Sequence, residues 1–342
     1  MLAPGVQSGD YQTRAFDGGY TYMRTMLVED VELPKSIPNY LDERRIAIND
    51  LADALHADFV ADGIGAIAAK KVNGNAILLG EAFPHLIAEC TNLNEFDRRR
   101  LAAAWLAVYG YISLLDRELD KAGNLSPRSA ISASALLSYG LSILGEVVAG
   151  SVYAATYRDN INRAFAAQYA DLSYRHDRLI DRSHYDIDKN RAIVAVVAAY
   201  SAAGGETEPR LVRITEALLG SFQTLDDLRD LAEDLEEGNL TEFVRIVLEK
   251  NVDQAHGDVQ DAYRSLLRSK KVFAPLKRAS AAISEALRQC DRRSDGALIA
   301  YFSALQRNLT TLRRSISRYQ RAPHSVSEPE LFKRITLVAH AS

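Results

Sequence analysis

Helix-breaking residues are scarce in this chain. Its 342 residues include only nine prolines and nineteen glycines. The strict alternation of apolar and polar residues that is typical of a half-buried strand is nowhere sustained. Such a chain builds long helices easily, whereas an all-β protein needs many more turn residues. We therefore predict an all-α fold.

The apolar periodicity predicts a set of about ten helices. The clearest segments are residues 39–56, 94–120, 130–150, 151–172, 191–203, 209–235, 241–250, 254–267 and 279–318. Their ends carry the expected residues, because Ser126-Pro127 suits a helix start. Gly150-Ser151, Gly204-Gly205 and Gly238-Asn239 suit breaks or helix ends. Since the breaks are short, we predict one domain over residues 39–322, with an N-terminal arm over 1–38 and a C-terminal tail over 323–342.

The charge balance and the cysteines limit the function classes. Lys and Arg number 41 against 45 Asp and Glu, for a formal net charge of −4, so the basic excess of a nucleic-acid binder is absent. Cys90 and Cys290 lie two hundred residues apart and form neither a disulfide framework nor a zinc motif. The first residues lack the pattern of a signal peptide. We expect a cytoplasmic protein.

Two apolar stretches require comparison with membrane-spanning helices. Leu136–Tyr157 is long enough to span a bilayer but carries Glu146 near its centre, and Ile193–Ala203 is too short. We expect both to be helices in the core of a soluble protein, without stable membrane insertion. The sequence leaves open whether the protein forms a homodimer.

Three aspartates are spaced by four residues in the segment 221–239. On a helix, Asp226, Asp230 and Asp234 form one stripe, since each is displaced by only about 40° from the last. Like charges at this spacing repel one another and destabilise the helix. A hard divalent cation such as Mg²⁺ would offset the repulsion and would also bind the phosphates of a substrate. The alternative is a solvated acidic face.

A second acidic pair closes an earlier predicted helix. Asp116 and Asp120 also have the four-residue spacing, and they lie at the helix C-terminus. The helix dipole is negative at that end, so an anion there is unfavourable unless a cation is near. Again, an exposed acidic helix end is the alternative.

These motifs resemble those of the class I isoprenoid synthases. Phe222-Gln223-x-x-Asp226-Asp227-x-x-Asp230 resembles the second aspartate-rich motif of trans-polyprenyl diphosphate synthases. Arg229-Asp230-x-x-Glu233-Asp234-x-x-x-Gly238 is similar to a segment of squalene and phytoene synthases. The Asp226, Asp230 and Asp234 spacing also matches the metal triad of class I terpene synthases. The resemblance implies one all-α isoprenoid-synthase bundle around a central cavity.

The resemblance also implies roles for individual residues. Three Mg²⁺ ions would lie between two facing acidic helices, held by Asp116, Asp120, Asp226, Asp230 and Asp234. The groups that steady the diphosphate would be Arg182, Arg318 and Tyr319, with substrate contacts from Arg178, Arg229, Phe222 and Tyr109. Arginine suits these positions because its fork binds phosphate oxygens in a bidentate way. The two aromatic rings would line the cavity and stabilise a carbocation.

The first motif departs from the usual pattern. Arg117 stands where chain-elongating synthases carry a second carboxylate, and no arginine pair follows Asp120. A site for isopentenyl diphosphate is therefore not visible, which disfavours chain elongation. The leading hypothesis is a terpene synthase-like enzyme that ionises a farnesyl or geranylgeranyl diphosphate and releases pyrophosphate. The alternatives are a prenyltransferase, either head-to-head or chain-elongating, and a non-catalytic helical binding protein.

Overall fold

The computed structural model describes residues 38–69, 79–122, 126–174, 187–206, 209–249 and 259–322, together with Leu331. Within these ranges the chain is helical and contains no strand, so the predicted all-α fold is confirmed. Nearly all of the N-terminal arm and of the tail lies outside the described residues, since only Pro38 and Leu331 are described in these two segments. The predicted domain limits, the cytoplasmic location and the homodimer stay predictions.

Thirteen α-helices are described in these ranges. They are α1 (Pro38–Ala54), α2 (Ala57–Ala69), α3 (Leu79–Ala88), α4 (Glu95–Ala122), α5 (Pro127–Val148), α6 (Ala154–Tyr174), α7 (Arg191–Ala203), α8 (Arg210–Arg229), α9 (Leu231–Glu237), α10 (Glu242–Leu248), α11 (Val259–Arg268), α12 (Phe273–Gln289) and α13 (Gly296–Arg321). A 3₁₀ turn, Lys270–Val272, leads into α12.

The centre of the bundle is occupied by α7. Each residue from Ala192 to Ser201 is buried. A helix that is apolar on all sides must be surrounded by other elements, and α7 packs against α3, α4, α5, α6 and α8. Each fully buried Val or Ile contributes about 1.5–3 kcal/mol to the hydrophobic stabilisation. The shorter of the two apolar stretches is therefore a core helix, as expected.

The longer apolar stretch belongs mainly to α5. This is the one described helix that is long and apolar enough to cross a membrane, judged by length and composition alone. In the structure it packs lengthwise against α4, and its Glu146 pairs with Arg100 of that helix. The Ser132 hydroxyl donates a hydrogen bond of 2.8 Å to Asp62 of α2. Its opposite face is exposed and rich in serine, including Ser134 and Ser138.

Most helix ends that carry local signals lie where they were predicted. The Ser126 hydroxyl caps α5 by accepting the backbone N–H of Ser129 at 3.0 Å, and Pro127 is the first helical residue. Gly150, between α5 and α6, has a φ of 74°, and Gly238, after α9, has a φ of 73°. Both are left-handed conformations that glycine adopts without steric cost.

Two expectations about the helices are wrong. The segment 209–235 is not one helix, because α8 ends at Arg229 and α9 begins at Leu231. The segment 279–318 is divided by a turn before Gly296, since the Asp295 side chain accepts the Asp291 backbone N–H at 2.7 Å and closes the turn. Two further helices, α2 and α3, lie in a stretch for which no separate helix was predicted.

The closest approach between α4 and α5 depends on Gly140. A Cβ atom built on this residue would lie 2.7 Å from the carbonyl oxygen of Ala104 and 2.6 Å from a methyl carbon of Val108. Backbone atoms cannot move aside without separating the two helices.

We therefore expect Gly140→Ala to lower the free energy of unfolding by about 1–3 kcal/mol through overpacking. The matched control is Gly145→Ala in the same helix, where the added Cβ would lie 4.0 Å from the Tyr157 ring. That variant should gain about 0.5–1 kcal/mol from helix propensity. Urea denaturation followed by circular dichroism measures both, and equal stabilities of the two variants would contradict the close packing.

Candidate functional site

The two acidic helices end on the same side of the bundle. Gly204, just after α7, lies against Thr91 and Asn92, which precede α4, so α4 and α7 run in opposite directions. Asn190, just before α7, bonds to Gln223 near the end of α8, so α8 is also antiparallel to α7. Both α4 and α8 therefore run towards the side of the bundle on which α7 begins. We call this side the acidic end.

The acidic stripe persists across the break between α8 and α9. The Asp230 N–H donates to the Asp226 carbonyl at 2.9 Å, and the Asp234 N–H donates to the Asp230 carbonyl at 2.8 Å. Helical hydrogen bonding thus continues through the break, and the four-residue spacing is kept. The side chains differ in environment, because Asp226 is exposed, Asp230 is half-buried and Asp234 is buried.

Asp234 is held by the loop that follows α9. Its carboxylate accepts hydrogen bonds from the Asn239 amide at 3.3 Å and from the Thr241 hydroxyl at 3.2 Å. Burial, together with the charges of Asp230 and Asp226, raises the pKa of the Asp234 carboxyl to about 8, and the two hydrogen bonds act in the opposite direction. The three carboxylates therefore form one electrostatic unit, as their spacing predicted.

The metal ligands predicted from the sequence are described only in part. Asp116 and Asp120 lie in the last turns of α4, at the acidic end, but their side chains lie outside the described residues. Among the side chains that are described, no three His, Cys, Asp or Glu are placed to hold a metal ion by themselves. The carboxylate chemistry of the stripe nevertheless fits Mg²⁺, which completes its coordination with water and phosphate oxygens.

A buried polar chain beside the stripe was not predicted. The Asn190 amide donates to Gln223 at 2.9 Å, and the Gln223 amide donates to Asp227 at 2.6 Å. Gln223 and Asp227 are nearly fully buried. Their four-residue spacing was a local signal for this bond, whereas the partner Asn190 lies on another helix and required the tertiary structure. The chain fixes α8 to the start of α7 next to Asp226.

Of the remaining predicted residues other than the two cavity aromatics, the structure describes the side chains of Arg318 and Tyr319. Arg178 and Arg182 lie outside the described residues, as does the side chain of Arg229. Arg318 is exposed near the end of α13, whereas its neighbour Tyr319 is fully buried. Because successive residues on a helix are about 100° apart, the two side chains do not share one face, and their joint role stays a prediction.

The two predicted cavity aromatics are packed in the core. The Phe222 ring lies edge-on to Phe83, with ring centroids 5.4 Å apart, and Phe83 also contacts Phe302 at 6.4 Å. This cluster joins α3, α8 and α13 one turn below Asp226. Tyr109 is half-buried beside Trp105, at a centroid distance of 5.5 Å. Both rings therefore have structural contacts that are independent of any substrate.

Comparison of the chain with protein-family models, with curated proteins and with solved structures found no match.

The pKa of Asp234 predicts how stability depends on pH. The folded protein keeps the Asp234 proton up to about pH 8, whereas the unfolded chain releases it near pH 4. The folded state therefore binds the extra proton between these values, and its stability falls as the pH rises. Asp234→Asn cannot ionise, so in a chelating buffer it should exceed the wild type at pH 9 by about 1–3 kcal/mol.

Urea denaturation at pH 5 and pH 9 tests this dependence. Glu236→Gln, on the exposed side of α9, is the matched control and should follow the wild type. If Asp234→Asn and the wild type lose the same stability between the two pH values, the buried position of this carboxyl is incorrect.

Proposed function

We propose that the protein is a class I terpene synthase-like enzyme of the isoprenoid-synthase fold, which ionises a prenyl diphosphate and releases pyrophosphate in the presence of Mg²⁺. The observation that carries this proposal is the stripe of three aspartates, which is continuous across the break between α8 and α9 and ends on the buried Asp234. It lies on the side of the bundle towards which α4 runs with Asp116 and Asp120. An acidic face that serves only to be solvated needs no buried carboxyl held by two hydrogen bonds, as Asp234 is. Held near a cation, the same group becomes a ligand.

The aspartates of the stripe would differ in how readily they bind the metal, because they differ in exposure and in protonation. Asp226 is exposed and would be the first to meet an incoming ion, whereas the Asp234 carboxyl must lose its proton before it can bind. Asn239 and Thr241 fix the direction of that carboxyl, which reduces the entropy lost on binding. When bound, Mg²⁺ supplies Lewis-acid stabilisation to the departing diphosphate.

The core below the stripe supports a reaction that must exclude water. A prenyl carbocation is destroyed by water, so its surroundings must be apolar. Phe83, Phe222 and Phe302 form a packed layer one turn below Asp226, and α7 behind them is buried throughout. We propose that the prenyl chain lies between this layer and the end of α4, with the diphosphate at the stripe.

The metal assignment predicts that Asp226→Asn abolishes Mg²⁺-dependent release of pyrophosphate from farnesyl or geranylgeranyl diphosphate. The loss should be at least about 100-fold, because a metal ligand supplies several kcal/mol. Glu236→Gln, which removes an exposed carboxylate of α9, should retain wild-type activity. A coupled pyrophosphate assay with and without a chelator makes both measurements.

Full activity of Asp226→Asn would refute the metal role of the stripe. A wild type that binds pyrophosphate with Mg²⁺ but never turns over an allylic diphosphate would favour the non-catalytic binding protein.

The class of reaction is tested with labelled isopentenyl diphosphate. Chain elongation needs a second basic cluster near the first acidic motif, where the sequence offers Arg117, Lys121 and Arg128. Arg128 is already engaged, because its guanidinium bonds both oxygens of Asp62 at 3.2 and 3.3 Å. We therefore expect no label in a longer chain and a hydrocarbon or alcohol from one allylic diphosphate alone.

Mass spectrometry of the products separates the alternatives. Label in a longer chain would establish a chain-elongating prenyltransferase, and a product with twice the carbon number would establish head-to-head condensation. Either product would overturn the cyclase assignment but would leave the metal site intact.

A further inference from the structure

The last long helix carries charges of one sign only. α13 contains five arginines and neither an aspartate nor a glutamate. Residues 264–321 as a whole contain fourteen Lys and Arg against three Asp and Glu, although the complete chain has a formal net charge of −4. The positive charge of the protein is therefore concentrated in its C-terminal helices, and the remaining sequence is acidic.

Four of these five arginines lie on the outward face of α13. The inward face is buried through residues such as Leu305, Leu312 and Tyr319, which fixes the orientation of the helix. The exposed arginines are Arg307, Arg314, Arg318 and Arg321. At about 100° per residue their directions fall within about 60° of one another, and they extend over about 21 Å of the helix. We call these four residues the arginine stripe.

The arginine stripe has no acidic partner within the described part of the chain. Arg321 donates to the Ser317 carbonyl at 3.2 Å and to the Ser317 hydroxyl at 3.3 Å, and both acceptors are uncharged. Exposed arginines on other helices do form ion pairs, as Arg99 does with Asp50. The charge of the stripe is therefore not neutralised by the fold itself.

The helix dipole accounts for only part of the stripe. Arg318 and Arg321 lie in the last turn of α13, where the negative end of the dipole favours cations. This effect is lost within one turn of the helix end. Arg314 lies about two turns before the end and Arg307 about four, so stabilisation of the helix end does not explain these two residues.

The basic surface continues beside the end of α13. The Gln320 amide donates to the carbonyls of Leu267 at 2.7 Å and Ser269 at 3.0 Å, which places the turn before α12 next to the last turn of α13. Arg268 and Lys270 of this segment are exposed. Among the described residues, neither of them has an ion-pair partner.

We propose that the arginine stripe, together with Arg268 and Lys270, is a docking surface for an anionic lipid bilayer. A cluster of four to eight basic residues on an amphipathic helix is typical of binding to anionic lipids. Lipid phosphates lie in one plane, and the guanidinium groups of the stripe point in one direction, so all of them contact the headgroups together. The binding is peripheral, because the other exposed residues of α13 are Gly296, Ala300 and Thr311, which are too small to enter the hydrocarbon.

A nucleic acid fits the same surface less well. Binding of single strands depends on aromatic side chains on which the bases stack, but the aromatic residues of α13, Tyr301, Phe302 and Tyr319, are buried. A stripe of about 21 Å on a helix about 10 Å wide offers about 200 Å². Even a single DNA-binding module buries at least about 600 Å², whereas attraction to a charged bilayer needs no such complementary area.

The test is co-sedimentation of the full chain with lipid vesicles. We expect the wild type to sediment with phosphatidylcholine vesicles that contain about one third phosphatidylglycerol, and to be released as NaCl rises from about 0.05 to 0.5 M. Vesicles of phosphatidylcholine alone should not bind it. The triple variant Arg307→Gln, Arg314→Gln and Arg321→Gln should bind at least about 20-fold more weakly, since each basic residue contributes about fivefold. Arg318 stays unchanged, because it has a predicted role at the diphosphate.

Two matched variants separate the local charge from the total charge. Arg45→Gln, Arg158→Gln and Arg213→Gln together remove the same charge from exposed residues of α1, α6 and α8, and this triple variant should bind like the wild type. Replacement of the same three stripe residues by lysine keeps their charge and should retain binding. Circular dichroism establishes that each variant is folded.

The proposal is overturned if the wild type binds neutral and anionic vesicles equally, or if it binds neither. Equal losses in the two glutamine variants would also overturn it. Release from the vesicles by duplex DNA at equal phosphate concentration would make the stripe a nucleic-acid surface instead. Pyrophosphate release is measured without vesicles, so a failure of this proposal and a failure of the proposed enzyme activity are distinguishable.

Discussion

The burial of α7 on all its faces is the constraint on which the rest of the structure depends. A helix without a polar face is stable only when other helices surround it, and five neighbours do so here. Two of them, α4 and α8, run antiparallel to α7, so both end on the same side of the bundle. Hydrophobic packing around α7 therefore directs two acidic helix ends, which are distant in the sequence, to the same side of the bundle.

The acidic end is locally unfavourable to folding, and the core supplies the stability that it lacks. Three carboxylates raise one another's free energy when no cation is present, and Asp234 is also desolvated. The apolar helices beneath the acidic end offset this cost in free energy, because the burial of most of their surface stabilises the fold. Residues that weaken a fold in this way are common at functional sites, which agrees with the role that we propose for the stripe.

Predictions from the sequence succeeded where the signal was local. Ser126-Pro127, Gly150 and Gly238 act through their own backbone geometry, so the adjacent helix ends were predicted correctly. The turn before Gly296 was missed. Asp295 closes it on the backbone N–H of Asp291 and also pairs with Arg210 on α8, and only the second contact lies outside the local sequence.

The same distinction holds for the candidate site. The spacing of Asp226, Asp230 and Asp234 predicted their coupling. Their graded burial and the bond from Asn190 to Gln223 depend on contacts between helices, and no local pattern contains them.

The loop residue Thr241 has a consequence for motion near the stripe. Its hydroxyl donates to Asp234, and it makes no side-chain hydrogen bond to the start of its own helix, α10. A missing N-cap costs a helix about 1 kcal/mol, and α10 has only seven residues. Amide protons of α10 should therefore exchange with solvent sooner than those of α8. Each such opening removes one donor from Asp234, so the fraying of a short helix controls how readily the third carboxyl changes its protonation.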